Sequence, residues 1–125
     1  MLSLVNDITK KEYANTSLII SDNNKSIGLQ KAKELGLKTL VLDKSKYRSF
    51  PREFDEHLNK ILNKENIQLI CLAGFMKILT PWFIELWENR ILNIHPSILP
   101  KFKGLNTHER VIESGDRKHG CTVHY

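Results

Sequence analysis

Strand-like and helix-like segments alternate along this sequence, and the alternation constrains the fold more than any other feature. Five short β-rich runs are separated by stretches with helical periodicity or helix-capping residues. Parallel strands need such crossover connections, whereas antiparallel strands can be joined by tight turns. The sequence therefore predicts an α/β fold, with an open, mostly parallel sheet and helices on both faces. The predicted strands are residues 16–21, 39–42, 67–73, 91–94 and 121–125.

Start and stop signals mark the helices between these strands. Pro51 begins a helix in which Phe54, Leu58, Ile61 and Leu62 form one apolar stripe. Residues 1–7 resemble the end of a helix. The other signals are Ser26 before and Gly36 after the first crossover helix, Thr80-Pro81 at the start of a helix with two tryptophans, and Gly115 after a short helix at 107–113.

Length and hydropathy limit the class of protein. A chain of 125 residues fits one compact domain, residues 1–125. It has no apolar run of the ~18 residues that a bilayer span needs, and its first residues are too polar for a signal peptide. We therefore expect a cytoplasmic protein with no membrane partner. The sequence does not indicate an oligomeric state.

Basic residues are spread along the chain rather than clustered. The formal net charge is +5, but no block of five or more basic residues occurs. Proteins that bind a nucleic acid backbone usually concentrate basic residues on one face or in one run. We expect no nucleic acid partner, and a mild positive field that attracts small anionic substrates.

The two cysteines are predicted to be free thiols. Neither Cys71 nor Cys121 has a neighbouring Cys or His at the spacing of a zinc site, so no metal is expected. Cys71 lies in the apolar run 67–73, which predicts a central strand covered on both faces and a buried thiol.

Two polar side chains stand at the end of the fourth predicted strand, where open parallel sheets bind ligands. Asn93 and His95 are two residues apart and should point to the same side of the strand. An amide can stabilise an oxyanion and an imidazole can transfer a proton, which is the pair that an acyl transfer uses. The spacing alone is more often structural, although Pro96 forces the chain to turn at this point.

The segment after the third predicted strand allows two interpretations. Gly74 permits a close approach of backbone to a ligand, or is a plain turn glycine. The side chains of Phe75, Met76, Ile78 and Leu79 either line an apolar pocket or form core against the Trp-bearing helix.

The remaining histidines are less informative. We expect His57 to be solvated on its helix and His119 to lie in a turn. Both His108 and His124 could reach the rim that carries His95, and the sequence leaves this open.

Longer motifs resemble a known family. The runs LAGFMKIL (72–79) and NIHPSILPKFKG (93–104) resemble the folate-dependent formyltransferases, and GLNTHERVIESGD (104–116) is similar to the phosphoribosylglycinamide formyltransferases among them. Shorter matches, SDN, GLQKAKELG and SFPREFDEHL, extend the resemblance over essentially the whole chain. It implies a Rossmann-like fold that transfers a formyl group from 10-formyltetrahydrofolate to the amine of glycinamide ribonucleotide in purine biosynthesis.

The resemblance also implies roles for residues at matching positions. His95 matches the histidine that mediates proton transfer, and Asn93 matches the asparagine that hydrogen-bonds the formyl oxygen. Gly74, His95 and Pro96 match positions beside glycinamide ribonucleotide. Lys77 stands where many members carry arginine. The implied folate-binding set is Phe75, Met76, Lys77, Ile78, Leu79, Asn93 and Arg52.

The sequence departs from the family pattern at both ends. The family opens with a strand and a G-x-G-S-N loop that cradles the substrate phosphate, and it carries an aspartate shortly after the strand matching 121–125. Neither feature occurs in these 125 residues, so we expect a fold incomplete at both termini and no appreciable formyl transfer by the chain alone. An unpaired apolar sheet edge predicts a marginally stable, aggregation-prone chain.

Two other interpretations remain. The chain could belong to another folate-dependent formyltransferase or a formyltetrahydrofolate deformylase. It could also be a non-catalytic remnant that retains a folate pocket. Binding of a folate analogue without turnover would distinguish the remnant from an enzyme.

Overall fold

The structure is a computed structural model that describes residues 1–47 and 50–125. These residues form two compact units. The first comprises Met1–Ile67 and Leu79–Phe83, and the second comprises Gln68–Ile78 and Ile84–Tyr125. The opening residue of the SFPREFDEHL motif, Ser49, lies outside the described residues.

The first unit is built on a two-stranded sheet. In chain order its elements are α1 (Leu2–Thr9), β1 (Ile19–Ser21), α2 (Ile27–Glu34), β2 (Thr39–Val41), a 3₁₀ helix (Lys44–Tyr47) and α3 (Pro51–Lys64). The strands β1 and β2 are parallel, and α2 packs against both of them and against α1. The parallel pairing follows from the crossover through α2, as the alternation predicts.

Capping residues and apolar periodicity place these helices where the sequence predicts them. Ser26 precedes α2, and its Oγ accepts a hydrogen bond from the Leu29 amide at 3.3 Å. The helix α3 begins at Pro51, and Phe54 and Leu58 of its apolar stripe are buried. Both predictions are confirmed, because caps and side-chain periodicity are properties of the local sequence.

A buried carboxylate joins the apolar core of the first unit. Asp55 is buried, and its Oδ2 accepts a hydrogen bond from the Thr80 amide at 2.7 Å. The hydroxyl of Thr80 accepts in turn from the Phe83 amide at 3.4 Å. The Thr80-Pro81 pair therefore starts a helix, as predicted. The apolar core residues are Val5, Leu29, Ala32, Leu42, Phe54, Leu58, Leu62 and Phe83.

The second unit is built on a three-stranded sheet. Its elements are β3 (Ile70–Ala73), the end of α4 (Pro81–Leu86), β4 (Ile91–His95), α5 (Thr107–Ser114) and β5 (Thr122–His124). The strands β3 and β4 pair in parallel, whereas β5 is antiparallel to β4. Residues 96–121 return the chain to the end of β4, so that Thr122 lies opposite His95. The strand β5 therefore runs back along β4.

The predicted single sheet is divided, within the described ranges, into one two-stranded and one three-stranded sheet. Alternation of elements predicts crossovers but does not determine which strands pair. In the same ranges, no helix has both the length and the apolar character needed to cross a membrane. The core of the second unit contains Trp87, Ile91 and Val111, together with the buried hydroxyl residues Ser97 and Thr107.

The prediction that residues 67–73 form a strand covered on both faces, with Cys71 buried, is wrong. The strand β3 covers only Ile70–Ala73, and Cys71 is exposed. The register places Ala73, Ile94 and Val123 in one row, and this face of the sheet is exposed. A continuous apolar run carries no periodicity that would show which face is covered.

Both cysteines are free, as predicted. Although Cys71 is exposed by area, partial burial desolvates the sulfur and raises the pKa of the thiol. The thiol therefore stays protonated near neutral pH, where thiolate character is needed for reactivity.

Candidate active site

Asn93 and His95 lie on the same face of β4, as strand alternation predicts. Both side chains are half-buried, whereas Ile94 between them points to the exposed face. Across the antiparallel pair, Asn93 lies opposite His124 and His95 lies opposite Thr122. The carboxyl end of β4 therefore carries an amide and an imidazole together.

His124 contacts Asn93 directly. Its Nε2 lies 3.2 Å from Nδ2 of Asn93, and its Nδ1 lies 2.7 Å from the backbone oxygen of Tyr125. The backbone oxygen of Tyr125 only accepts, so these partners assign the proton of a neutral His124 to Nδ1 and make Nε2 an acceptor for the amide. Of the two histidines that the sequence left open, His124 reaches Asn93.

The ring of His95 is held by the backbone of the loop that follows β4. Its Nε2 lies 3.2 Å from the carbonyl oxygen of Phe102, so in the neutral ring Nε2 carries the proton and Nδ1 carries the lone pair. Phe102 has a φ of 53°, a left-handed conformation that is uncommon for a residue with a bulky side chain. Backbone strain of this kind is often found at functional sites.

The hydroxyl of Thr122 joins the loop after β4 to β5 by hydrogen bonds. Its Oγ1 donates a hydrogen bond to the carbonyl oxygen of Ser97 at 2.8 Å and accepts one from the Leu99 amide at 3.0 Å. The start of the loop is therefore tied to the strand that also carries His124.

Two buried hydroxyls complete the support of the loop. The Oγ of Ser97 donates to the carbonyl oxygen of Lys101 at 2.7 Å. The Oγ1 of Thr107, the first residue of α5, donates to the carbonyl oxygen of Pro96 at 2.7 Å. The backbone on both sides of the turn after His95 is thereby satisfied by protein groups.

We expect Thr122→Val to lower the free energy of unfolding by about 1–3 kcal/mol, because it removes two hydrogen bonds and leaves loop groups without their partner. Urea denaturation followed by tryptophan fluorescence measures the change. Thr122→Ser keeps the hydroxyl and is the matched control, with a smaller loss expected. Equal losses for the two variants would show that the hydroxyl is not what holds the loop.

An ion pair links the loop after β4 to the residues that follow α5. Lys101 Nζ lies 2.6 Å from Oδ2 of Asp116, and the hydrogen bond from Lys101 lowers the pKa of the Asp116 carboxyl. A carboxyl with a lowered folded-state pKa stabilises the fold above its ordinary pKa, and the contribution is lost as pH falls through the lowered value.

We therefore expect the stability difference between the wild type and Asp116→Asn to be constant between neutral pH and about pH 5, and to disappear in stronger acid. The difference should be small, since solvent screens an exposed pair. Denaturation midpoints across this pH range measure it, with Asp7→Asn on the exposed side of α1 as the control. A difference that grows in acid would contradict the sign.

The loop after β3 does not form core at two of its positions. Gly74 follows β3 with a φ of 68°, which glycine adopts without strain. Met76 and Ile78 are not core, because their side chains are 66% and 91% exposed. Phe75 and Leu79 are half-buried. Apolar composition alone does not show whether a partner covers a loop.

Arg52 and Leu79 belong to the first unit, whereas the other predicted site residues belong to the second. Arg52 Nε lies 2.8 Å from Oε1 of Glu56, and its guanidinium lies 3.8 Å from the ring centroid of Trp82. The guanidinium of Arg52 thus makes its contacts within the first unit.

The other histidines make contacts elsewhere. Nδ1 of His108 lies 2.7 Å from Nε2 of His119. His57 is exposed, as predicted, and its Nδ1 lies 2.6 Å from the hydroxyl of Tyr47. In the ranges that the structure describes, no group of three or more His, Cys, Asp or Glu side chains is arranged to hold a metal ion.

Two surface cavities do not coincide with the predicted folate segment. One, of about 370 Å³, is lined by residues that include Tyr47 and His57. The other, of about 530 Å³, is lined by residues that include Phe102, Arg110 and Asp116. The second shares Phe102 with the loop that holds His95, but neither Asn93 nor His95 lines it.

The sequence does not single out four supporting residues, namely Thr122, Ser97, Thr107 and Phe102. Alternation along β5 places Thr122 on the same face as His124, so its proximity to the rim had a sequence signal. Ser97 and Phe102 act through a buried hydroxyl and a backbone carbonyl, whose positions depend on the path of the loop.

A model of one protein family aligns with almost the entire chain. The family is described as formyl transferase, and the match covers residues 2–125. The chain belongs to the formyl transferase family. The resemblance drawn from the LAGFMKIL and NIHPSILPKFKG motifs is confirmed.

Formyl transferases of purine biosynthesis are among its relatives. The chain is 45% identical over 124 residues to the trifunctional purine biosynthetic protein adenosine-3 of Gallus gallus. This alignment covers 98% of the chain and 12% of that protein. It is 43% identical over 112 residues to the phosphoribosylglycinamide formyltransferase of Haemophilus influenzae, covering 90% of the chain and 52% of that protein. The chain thus spans about half of the bacterial relative and a smaller part of the trifunctional one.

Solved structures of formyl transferases have the same fold. The phosphoribosylglycinamide formyltransferase of Coxiella burnetii matches with a TM-score of 0.90 at 34% identity, over 98% of this chain and 58% of that one. The enzyme of Bacillus halodurans matches with a TM-score of 0.91 at 26% identity, over 99% and 64%. These matches confirm the predicted α/β fold class.

Proposed function

We propose that this formyl transferase chain carries the formyl-transfer site of a phosphoribosylglycinamide formyltransferase. It would move a formyl group from 10-formyltetrahydrofolate to the amine of glycinamide ribonucleotide in purine biosynthesis. The observation that carries the proposal is the pair Asn93 and His95 at the end of β4, each held in a defined hydrogen-bonding state. Family membership and the names of the relatives support the reaction and the substrate.

The chemistry of the transfer fits these two side chains. A bond forms between the amine nitrogen and the formyl carbon, and the bond from that carbon to N10 of the folate breaks. Negative charge develops on the formyl oxygen, to which Nδ2 of Asn93 can donate a hydrogen bond. The amine loses a proton and N10 gains one, and Nδ1 of His95 can accept the first and deliver the second.

The loop after β3 is the proposed folate surface. Met76 and Ile78 expose apolar side chains, which suits a flat, weakly hydrated ring. Phe75, Lys77 and Leu79 complete this segment. Arg52 stays in the proposed folate set, and its Nε contacts Glu56 while its guanidinium stacks on Trp82.

Gly74 and Pro96 are the proposed neighbours of glycinamide ribonucleotide. A Cβ placed on Gly74 would meet no atom within 4 Å, so the space beside its backbone is open to a ligand. Pro96 follows His95 directly, and its carbonyl is fixed by Thr107. Both positions therefore border the end of a strand in the same sheet.

A chimera tests the proposal. This chain replaces the matching 112-residue segment of the Haemophilus influenzae enzyme, and formyl transfer from 10-formyltetrahydrofolate to glycinamide ribonucleotide is measured. We expect turnover by the chimera, and a loss of about 10²–10³-fold in kcat for Asn93→Ala, as for removal of one oxyanion donor. Circular dichroism shows whether each protein is folded.

The alternatives give different results in the same assay. A folded chimera that binds a folate analogue but does not turn over would favour a non-catalytic remnant. Release of formate without formylation of the amine would favour a deformylase. A cytoplasmic location is part of the proposal, and it is supported by the two free cysteines, which a reducing compartment keeps as thiols.

A further inference from the structure

We propose that His124 is a positioning residue, which holds the amide of Asn93 as a hydrogen-bond donor toward the formyl oxygen. The nature of the acceptor rests on the proposed function, whereas the contact itself does not. His124 lies opposite Asn93 in the β4–β5 register, and its Nε2 lies 3.2 Å from Nδ2 of Asn93.

A side-chain amide needs such a neighbour because its two ends have almost the same shape. One end donates two hydrogen bonds and the other end only accepts. If the amide of Asn93 turned over, its carbonyl oxygen would replace the NH₂ group, and it would repel the charge on a formyl oxygen. The orientation of the amide therefore decides whether Asn93 helps or hinders the transfer.

The tautomer of His124 selects the useful orientation. Nδ1 donates to the backbone oxygen of Tyr125 at 2.7 Å, which leaves the lone pair on Nε2. A lone pair attracts an N–H group and repels Oδ1, so it keeps Nδ2 of Asn93 at the β5 side. Since Nδ2 carries two hydrogens, one binds His124 and the second remains to be donated to the formyl oxygen.

Protonation of His124 would reverse this preference, because Nε2 would then donate. Two other ionisable groups lie near this pair: the imidazole of His95 on the same face of β4, and, in the 125-residue chain, the α-carboxylate of Tyr125 at Nδ1 of His124. The residues of β3 paired with β4 on this face, Ile70 and Leu72, do not titrate. Thr122, the other residue of β5 on this face, has a hydroxyl engaged with the loop. The orientation of Asn93 should therefore follow the charge of His124, the imidazole that contacts its amide.

Nuclear magnetic resonance of the ¹⁵N-labelled 125-residue chain tests the proposal without requiring activity. We expect the side-chain NH₂ signals of Asn93 to shift with pH at the midpoint of His124. In His124→Gln the side-chain oxygen can accept from Nδ2, so the neutral-pH signals should be retained and the pH shift lost. In His124→Ala the neutral-pH signals themselves should change. His108→Ala is the matched control, and it should leave the Asn93 signals as in the wild type.

Two stable folate analogues, with and without a formyl group on N10, connect the contact to the reaction. We expect His124→Ala to reduce the preference for the formylated analogue by about threefold to tenfold, which corresponds to one hydrogen bond, and His124→Gln to retain it. Asn93 signals that ignore His124→Ala, or that follow the midpoint of His95, would overturn the proposal. If neither analogue binds while the signals behave as expected, the positioning contact is supported and the proposed function is not.

Discussion

Replacing His95 by alanine is expected to slow formyl transfer by about 10²–10⁴-fold, the range that a positioned general acid–base group contributes. Without the imidazole, water must take the proton from the attacking amine and return one to the folate nitrogen. The loss should appear in kcat at saturating concentrations of both substrates, measured in the chimera with the Haemophilus influenzae enzyme. It is the largest effect on activity that the structure predicts.

Two controls make this result specific. His95→Gln can still donate to the carbonyl oxygen of Phe102 but provides no basic nitrogen, so its loss should equal that of alanine. His57→Ala removes an exposed histidine that contacts Tyr47 in the first unit, and turnover should stay within about twofold of the unmodified chimera. A folded His95→Ala chimera with an unchanged kcat would remove His95 from the mechanism.

Replacing Trp87 by alanine should have the largest effect on stability. The side chain is 2% exposed, and the guanidinium of Arg90 lies 4.5 Å from its ring centroid. Truncating a fully buried tryptophan costs about 3–5 kcal/mol, since apolar burial is lost and a cavity remains. This approaches the total stability of many small domains, so we expect Trp87→Ala to be largely unfolded at ambient temperature. Circular dichroism during urea denaturation measures the change.

The neighbouring residue is a matched control for Trp87. Leu86 ends α4 and is 41% exposed, so Leu86→Ala should cost less than about 1 kcal/mol. Similar losses for the two variants would indicate a loosely packed region around Trp87. A Trp87→Ala chain as stable as the wild type would contradict the burial that the structure shows.

Much of the candidate site could be predicted from the sequence because its two central residues are neighbours in one strand. Alternation places Asn93 and His95 on one face, and the motif around them indicates formyl transfer. The exposure of Met76 and Ile78 could not be predicted in this way, nor could the engagement of Arg52 with Trp82. Both depend on residues distant in sequence.

The error at Cys71 has the same physical origin. An apolar run predicts a strand, but burial depends on what packs against each face of the completed sheet. The row of Ala73, Ile94 and Val123 is exposed although all three residues are apolar. Similarly, the sequence predicts β5 without its direction, which follows from the path of residues 96–121.

The sequence by itself determined the order of helices and strands, the caps that begin α2 and α4, the family, and the common face of Asn93 and His95. These features depend on local chemistry and on the period of a strand. Only the tertiary structure decided which groups hold the two side chains, namely His124 for Asn93 and the Phe102 carbonyl for His95. Such contacts join residues that are separated in sequence, and their geometry exists only once the strands have paired and the loop has closed.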